Sequence, residues 1–210
     1  MVRYLLIFFE PHQTLNEGFF LWRKEILAGW AAFSPLLYLD ADDPISETNK
    51  YRHVNIYHAN DDSFPALSRI EEHLQQHLDN GPSVSYHWQL HDEIREIRQS
   101  SRTTATVVTV GMTIPSDQET VQELTDWYDQ EHMPRLATVP GWLAGIRMRL
   151  AHSSDEHDAS AAAYLALHQW GDPNGLGGDI WKTAVMTPWT ERISALHTAP
   201  VHRRVWKISD

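Results

Sequence analysis

The stretch Trp127-Tyr128-Asp129-Gln130-Glu131-His132-Met133-Pro134 reads as part of an amphipathic helix with its histidine on the apolar face. At 3.6 residues per turn from Val121 onward, Val121, Leu124, Tyr128 and His132 share one stripe, while Asp126, Asp129 and Gln130 point elsewhere. Pro134 has no N–H to offer the carbonyl of Gln130 and pushes Met133 away from helical angles, so the helix is expected to bend or end just after His132. An imidazole held beside interrupted backbone, where a helix meets its sheet, suits acid/base chemistry. The same position suits a core histidine hydrogen-bonded to a carbonyl. The rest of the chain has to weigh the two.

Working outward, the chain says the same thing twice. In the first half a strand at Val2–Phe9 precedes a helical stretch from Leu15 to Phe33, and two strand-like runs follow at Leu36–Leu39 and Tyr51–His58. Asp61-Asp62-Ser63-Phe64-Pro65 reads as a helix start. That helix carries Leu67, Ile70, Leu74 and Leu78 on one face until Gly81-Pro82 breaks it, and a last strand runs over Val84–Leu90 or on to Ile97. In the second half come a strand at Thr106–Ile114, a helix capped by Ser116 that contains His132, a turn at Pro140-Gly141 and a strand at Trp142–Leu150. A polar loop, a strand at Ala161–Trp170, a helix from Asp179 interrupted at Pro188 and a closing strand at Val201–Ile208 complete it.

Each half therefore has the order β-α-β-β-α-β of a ferredoxin-like fold, with residues 1–98 and 105–210 as the halves and a polar join at Arg98–Thr104. A four-stranded sheet with helices on one face must cover its other face, and a second copy can do so. The fold class expected is α+β, two ferredoxin-like halves packed as an intrachain pseudo-dimeric α/β barrel, with the pocket between the two sheets. Tyr57-His58-Ala59-Asn60-Asp61 is matched to Leu167-His168-Gln169-Trp170-Gly171-Asp172. On the later strand Ala163, Leu165 and Leu167 should pack under the helices, leaving Tyr164, Ala166, His168 and Trp170 to face the pocket. In the first half His53, Asn55 and Tyr57 oppose Val54, Ile56 and His58.

Composition narrows the classes. With 28 acidic and 17 basic residues the net charge is −11, which argues against nucleic acid or an anionic membrane surface as the main partner. No cysteine means no disulfide, no thiolate nucleophile and no Cys-ligated metal, and a cytoplasmic location fits. The apolar N-terminal run is too short for a membrane span and is read as a strand. Nine Trp, seven Tyr and thirteen His are side chains suited to a pocket for a flat organic molecule, although most must simply fill the core.

The segment Asp126 to Pro134, followed by Val139-Pro140-Gly141-Trp142, resembles the signature of EthD-like proteins, which belong to the dimeric α/β-barrel superfamily. Tyr164-Leu165-Ala166-Leu167-His168 and Ala184-Val185-Met186-Thr187-Pro188-Trp189 are similar to the second-half pattern of that family, so the resemblance spans roughly residues 105–208 and the first half shares only the topology. It implies chemistry without a cofactor or metal on a small aromatic or polyketide-like molecule: decarboxylation, dehydration, cyclisation or isomerisation. It points to His132 as the acid/base residue. The first half has no histidine at the matching place around Trp22-Arg23-Lys24-Glu25-Ile26, so only one of the two pseudo-equivalent sites should be competent.

Around His132, Tyr128 could hydrogen-bond the substrate or the imidazole, His168 and Tyr164 could contribute from the strand, and Trp142 and Trp189 would shape the pocket. Glu131 lies about a quarter-turn off the stripe and would raise the pKa of His132 on contact, against the lowering effect of burial. The alternatives are a non-catalytic binder of an aromatic ligand and a haem-dependent oxidative enzyme with an axial histidine. Further homodimerisation through strand edges or helices is left open.

Other constellations are weaker. His73 and His77 stand four apart on a helix, expected as a solvated face, since two ligands alone do not make a metal site. The pairs His87/His91 and His152/His157 have no third ligand at a recognisable spacing. The Gly-rich loop Asn174–Gly178 lacks the Lys-Ser of a nucleotide loop and is read as a loop near the pocket mouth. Of Arg203 and Arg204, on opposite strand faces, one could meet a substrate carboxylate, with pairing to surplus acids the plainer reading. No Gly-x-Ser-x-Gly elbow is present.

Overall fold

Two four-stranded antiparallel sheets share both their edges. The computed structural model describes residues 2–13, 17–44, 49–60, 64–155, 157–158 and 160–209. The first sheet holds β1 (Val2–Pro11), β2 (Ser34–Ala41), β3 (His53–Asn60) and β4 (Val84–Arg98), with α1 (Glu17–Glu25) and α2 (Leu67–Asp79) between strands. The second holds β5 (Thr106–Met112), β6 (Trp142–Ser153), β7 (Tyr164–Trp170) and β8 (His202–Ile208). Its helices are α3 (Gln118–Trp127), a π-helical turn (Tyr128–His132) leading into α4 (Met133–Leu136), then α5 (Asp179–Val185) and α6 (Pro188–Ala195).

Around the closed barrel the strands run β1-β3-β2-β8-β5-β7-β6-β4. Within each half the spatial order is therefore the same: last strand, first, third, second. The halves join where β2 pairs with β8 at Leu39–Ala41 and where β4 pairs with β6 over Gln89–Arg98. Closure removes the free sheet edges that four strands alone would leave. This is the expected pseudo-dimeric α/β barrel, built within one chain.

The barrel interior is filled, which corrects the expected pocket between the sheets. Tyr4, Leu6, Phe8, Ile56, Met148, Leu165, Leu167 and Trp206 meet there, and Trp206 Nε1 donates to Thr109 Oγ1 at 2.9 Å. Bulky side chains reach inward from both sheets and leave no room for a ligand. The strand faces are corrected with it. Leu165 and Leu167 point into the barrel, while Tyr164, Ala166, His168 and Trp170 lie under the helices. In β3, Val54 and Ile56 face inward, and His58 stands beside Tyr4 on that inner face, opposite in phase to His168. The match of His58 to His168 is thus displaced by one residue.

One end of the interior is polar. Gln89 bridges His87 Nε2 (2.9 Å), His91 Nε2 (2.9 Å) and Ser160 Oγ (2.8 Å), and Ser160 passes the chain to Asp158, which pairs with Lys50 at 2.7 Å.

Several element boundaries shift. Instead of a helix from Leu15 to Phe33, α1 ends at Glu25, and hydrogen-bonded turns carry the chain to Phe33 with Gly29 at φ +84°. Leu15 and the proposed helix start at Asp61–Ser63 lie outside the described residues. The cap of α3 is Asp117, not Ser116; its carboxylate accepts from the Thr120 N–H at 2.9 Å. His73 and His77 do not form a solvated face. His73 Nε2 bonds the Ile26 carbonyl at 2.6 Å, and His77 stacks on Trp22. Among the described residues no helix is long and apolar enough to cross a membrane, and no group of three or more His, Cys, Asp or Glu could hold a metal ion.

Candidate active site

The helix that carries His132 does not end at the histidine. It passes through the π-helical turn, where the Met133 N–H reaches the Tyr128 carbonyl five residues back, and goes on into α4 with Pro134 in its first turn. Because Pro134 has no N–H, a regular α-turn here would lack one bond in any case, so widening the turn costs less than elsewhere. The widening has a geometric result. In a regular helix residues 127 and 132 sit about 140° apart around the axis. Here their rings stack, with centroids 4.2 Å apart and planes at 29°. Tyr128 meets the imidazole edge-on at 5.5 Å, and His168, reaching up from β7, stands at 6.1 Å.

These side chains line a cavity of about 230 Å³ between the helices and the outer face of β5, β7 and β8. Its walls are largely apolar: Val108, Met112, Trp127, Trp170, Trp181, Val185 and Ile193. Leu176 from the Gly-rich loop closes one side. The polar groups on the wall are Tyr128, His132, His168, Thr190, Ser194, His197 and Arg203, with no Asp or Glu among them.

The imidazoles differ in how they are held. His168 Nδ1 accepts from Trp142 Nε1 at 3.5 Å, which leaves its Nε2 to carry the proton and face the cavity. His132 Nδ1 is buried with no hydrogen-bond partner among the described residues, although the ring as a whole is half-buried. The accessible edge is therefore the one bearing Nε2, and no protein group fixes which nitrogen holds the proton. Burial, then the neighbouring His168 and Arg147, pushes the His132 pKa down to about 3. Burial, then Arg203, pushes His168 down to about 4. Both rings are neutral at pH 7. Burial raises the Tyr128 phenol above its ordinary range against the opposing pull of Arg147, so it stays protonated.

Arg147, from β6, lies 4.3 Å over the Tyr128 ring and is held by Asp129 at 2.9 Å. Asp129 also takes Arg95 at 2.7 Å, so the motif's acidic residue anchors the helix to two strands of the barrel wall. Arg204 points away on the inner side of β8, paired with Asp43 at 2.8 Å.

Of the residues marked from sequence, Tyr128, His132 and His168 come together on the cavity wall. Trp142 acts one layer back, through His168. Tyr164 packs at the edge of the same apolar cluster without lining the cavity. Glu131 and Trp189 face away. Glu131 accepts from Thr187 Oγ1 and pairs with Arg135, so it does not charge the imidazole, and Trp189 Nε1 donates to Glu123 at 2.7 Å. Sequence reasoning missed Trp127 as a partner of His132, together with Arg147 and His197. The π-helical turn that brings Trp127 over leaves no pattern in the sequence, whereas strand alternation along β6 could have placed Arg147 on the helix side.

No family model matches the chain, and no curated protein matches it. Solved structures do. An anthrone oxidase-like protein is similar at 12% identity and TM-score 0.60 over 100% of this chain and 91% of that one. A putative monooxygenase from Fusobacterium nucleatum subsp. nucleatum is similar at 9% identity and TM-score 0.61 over 100% and 93%. A ferredoxin-fold protein from Listeria monocytogenes, related to antibiotic biosynthesis monooxygenases, is similar at 10% identity and TM-score 0.52 over 99% and 95%. At these identities the likeness is one of fold: a ferredoxin-type α/β barrel over the whole chain.

Proposed function

We propose that this protein is an EthD-like enzyme of lyase or isomerase type that works without a cofactor on a small aromatic or polyketide-derived molecule, with His132 as general acid/base. The halves are residues 1–98 and 105–210, and the site belongs to the second. The observation that carries the reading is the setting of His132: a neutral imidazole on the wall of a mostly apolar cavity, with His168 beside it. His73, by contrast, is held at the Ile26 carbonyl and is not on this cavity wall.

The chemistry follows from the surroundings. In this cavity an unpaired imidazolium is disfavoured by burial. Proton abstraction from a carbon beside a carbonyl creates the imidazolium next to the enolate it has just generated, and that ion pair is strongly stabilised in a dry site. The same proton is then returned to carbon or oxygen in the product. In this reading His168 Nε2–H and the Tyr128 hydroxyl, both from residues on the cavity wall, donate to the developing oxyanion. Trp127, stacked on His132, and Trp170 contribute to the apolar wall around the substrate ring. A cavity of about 230 Å³ does not enclose a porphyrin, which leaves the haem-dependent reading without support from the geometry.

The reading is tested by incubating the protein with a panel of hydroxylated aromatic acids and polyketide lactones and following loss of CO2, loss of water or isomerisation by mass spectrometry and NMR. Wild type should convert at least one compound, and His132→Gln should lose at least about a hundredfold in rate with its melting transition retained. Unchanged turnover in His132→Gln sinks the acid/base assignment. Conversion that consumes O2 instead points to oxidative chemistry, and binding without conversion to a carrier.

A further inference from the structure

We infer that the ligand of this cavity carries one anionic oxygen group, a carboxylate in the simplest case, and that Arg203 at the cavity rim is the residue that selects for it. This deepens the reading of the cavity as a small-aromatic site and rests on it.

The charge arrangement is the starting point. The protein carries a net charge of −11, and its buried arginines each face a carboxylate: Arg23 meets Asp40 at 3.0 Å, Arg147 meets Asp129 and Arg204 meets Asp43. Arg203, on the cavity wall, is exposed rather than buried. Its side chain makes no hydrogen bond or ion pair among the described residues, although that of the neighbouring Arg204 does. An arginine at the rim of a mostly apolar cavity, unclaimed by an acid among the described residues, is free to pair with an anionic group of a ligand.

The other polar groups agree with this. Among the described residues no Asp or Glu lines the cavity. His168 is fixed by Trp142 as a donor at Nε2. Tyr128 stays protonated, and Ser194 and Thr190 carry hydroxyls. His197, between α6 and β8, is the third imidazole on the wall. Ser194 Oγ already donates to the Thr190 carbonyl and Thr190 Oγ1 accepts from Trp127 Nε1, so the donors left to a ligand are His168, Tyr128 and Arg203, and the adjustable group is His132. Such a set pairs with an acceptor-rich anion and offers a cation no carboxylate among the described residues.

The placement suits a division of labour. Arg203 lies opposite Val110 and His168 opposite Val108 on β5, so both project from the same sheet face two residues apart, with the arginine at the exposed rim and the imidazole deeper. A carboxylate held by Arg203 would set the rest of an aromatic ligand inward, along His168 toward His132 and Trp127. Its negative charge also offsets the arginine that disfavours protonation of His168, so the anionic ligand makes the imidazoles more basic on arrival.

The test is calorimetric titration of the full chain with 2-naphthoate and with its neutral isostere 2-naphthamide, repeated for Arg203→Gln and Arg203→Lys. Wild type should bind the carboxylate about tenfold or more tighter than the amide, as for a hydrogen bond to a charged group. The preference should vanish in Arg203→Gln with amide binding unchanged, and survive in part in Arg203→Lys. Added salt should weaken only the carboxylate. Equal binding of both probes to wild type, or a preference that persists in Arg203→Gln, overturns the assignment to Arg203 while the aromatic cavity stands. Failure of both probes to bind removes the aromatic reading and this one together.

Discussion

The imidazole of His132 lies on the indole of Trp127, five residues earlier in the same helix, with ring centroids 4.2 Å apart and planes at 29°. Only the widened turn between them allows this. The stack holds one face of the imidazole rigid and dry, and it turns the accessible edge toward the cavity and His168.

If the missing N–H of Pro134 is what makes the widened turn affordable, Pro134→Ala should let it close to a regular α-turn. The expected result is a folded protein whose His132 rotates off Trp127 and titrates closer to the ordinary histidine value of about 6.5 instead of about 3. Titration of the His132 ring protons by NMR reads this directly. An unchanged midpoint means that tertiary packing alone maintains the turn.

Asp129 joins the helix to the barrel wall through Arg147, which is buried, and Arg95, which is half exposed. Removing the shared carboxylate strands a buried guanidinium, so Asp129→Ala should cost about 3–5 kcal/mol. Arg95→Ala removes only the exposed arm and should cost under about 1 kcal/mol. Urea unfolding of the two variants decides. Equal losses would show that the buried arm carries no special weight.

How much of this was legible in the chain can be said residue by residue. The strand order was readable because turns and helix starts punctuate it, and His132 stood out because a polar ring on an apolar stripe is unusual. The face of β7 was misread for a physical reason. A barrel strand is buried on both sides, so the apolar set Leu165 and Leu167 carries no label to say whether helices or the opposite sheet cover it. That one ambiguity moved the expected cavity from the helix side to the barrel interior. Arg203 was visible as one of two arginines, but which of them had an acid partner depends on Asp43, some 160 residues away in the chain.

His91 sits fully buried in the barrel interior, its Nε2 on Gln89 at 2.9 Å and its Nδ1 without a partner among the described residues. Burial, with His87 adding to it, lowers its pKa from 6.5 to about 3. The unfolded chain therefore takes up this proton first as pH falls. The contribution of His91 is full above about pH 6.5, drains as pH falls toward about 3, and amounts to roughly 2 kcal/mol lost by pH 5. Comparing urea midpoints at pH 7 and pH 5, His91→Gln should lose about that much less than wild type between the two. An identical pH dependence would assign the acid sensitivity elsewhere.

The Gly-rich loop that closes the cavity is tied down at Gly141, and this sets the last expectation. Gly141 has φ +80°, a left-handed conformation that glycine adopts without strain, and a Cβ there would stand 2.7 Å from the Asn174 Cα and 2.8 Å from the Pro173 carbonyl oxygen. Both obstacles are backbone and cannot swing aside. The Gly141 carbonyl also accepts from the Gly171 N–H at 2.8 Å, and the Pro140 carbonyl accepts from Gly175 at 2.8 Å, so the turn and the loop move as one. Gly141→Ala should therefore cost at least about 1–3 kcal/mol in backbone strain alone and displace the loop that carries Leu176 onto the cavity wall. Stability and 2-naphthoate affinity should fall together in this variant, whereas Gly177→Ala, with φ +77° but open space around it, should lose stability by a smaller amount. Full affinity in a destabilised Gly141→Ala would show that the loop does not shape the ligand site.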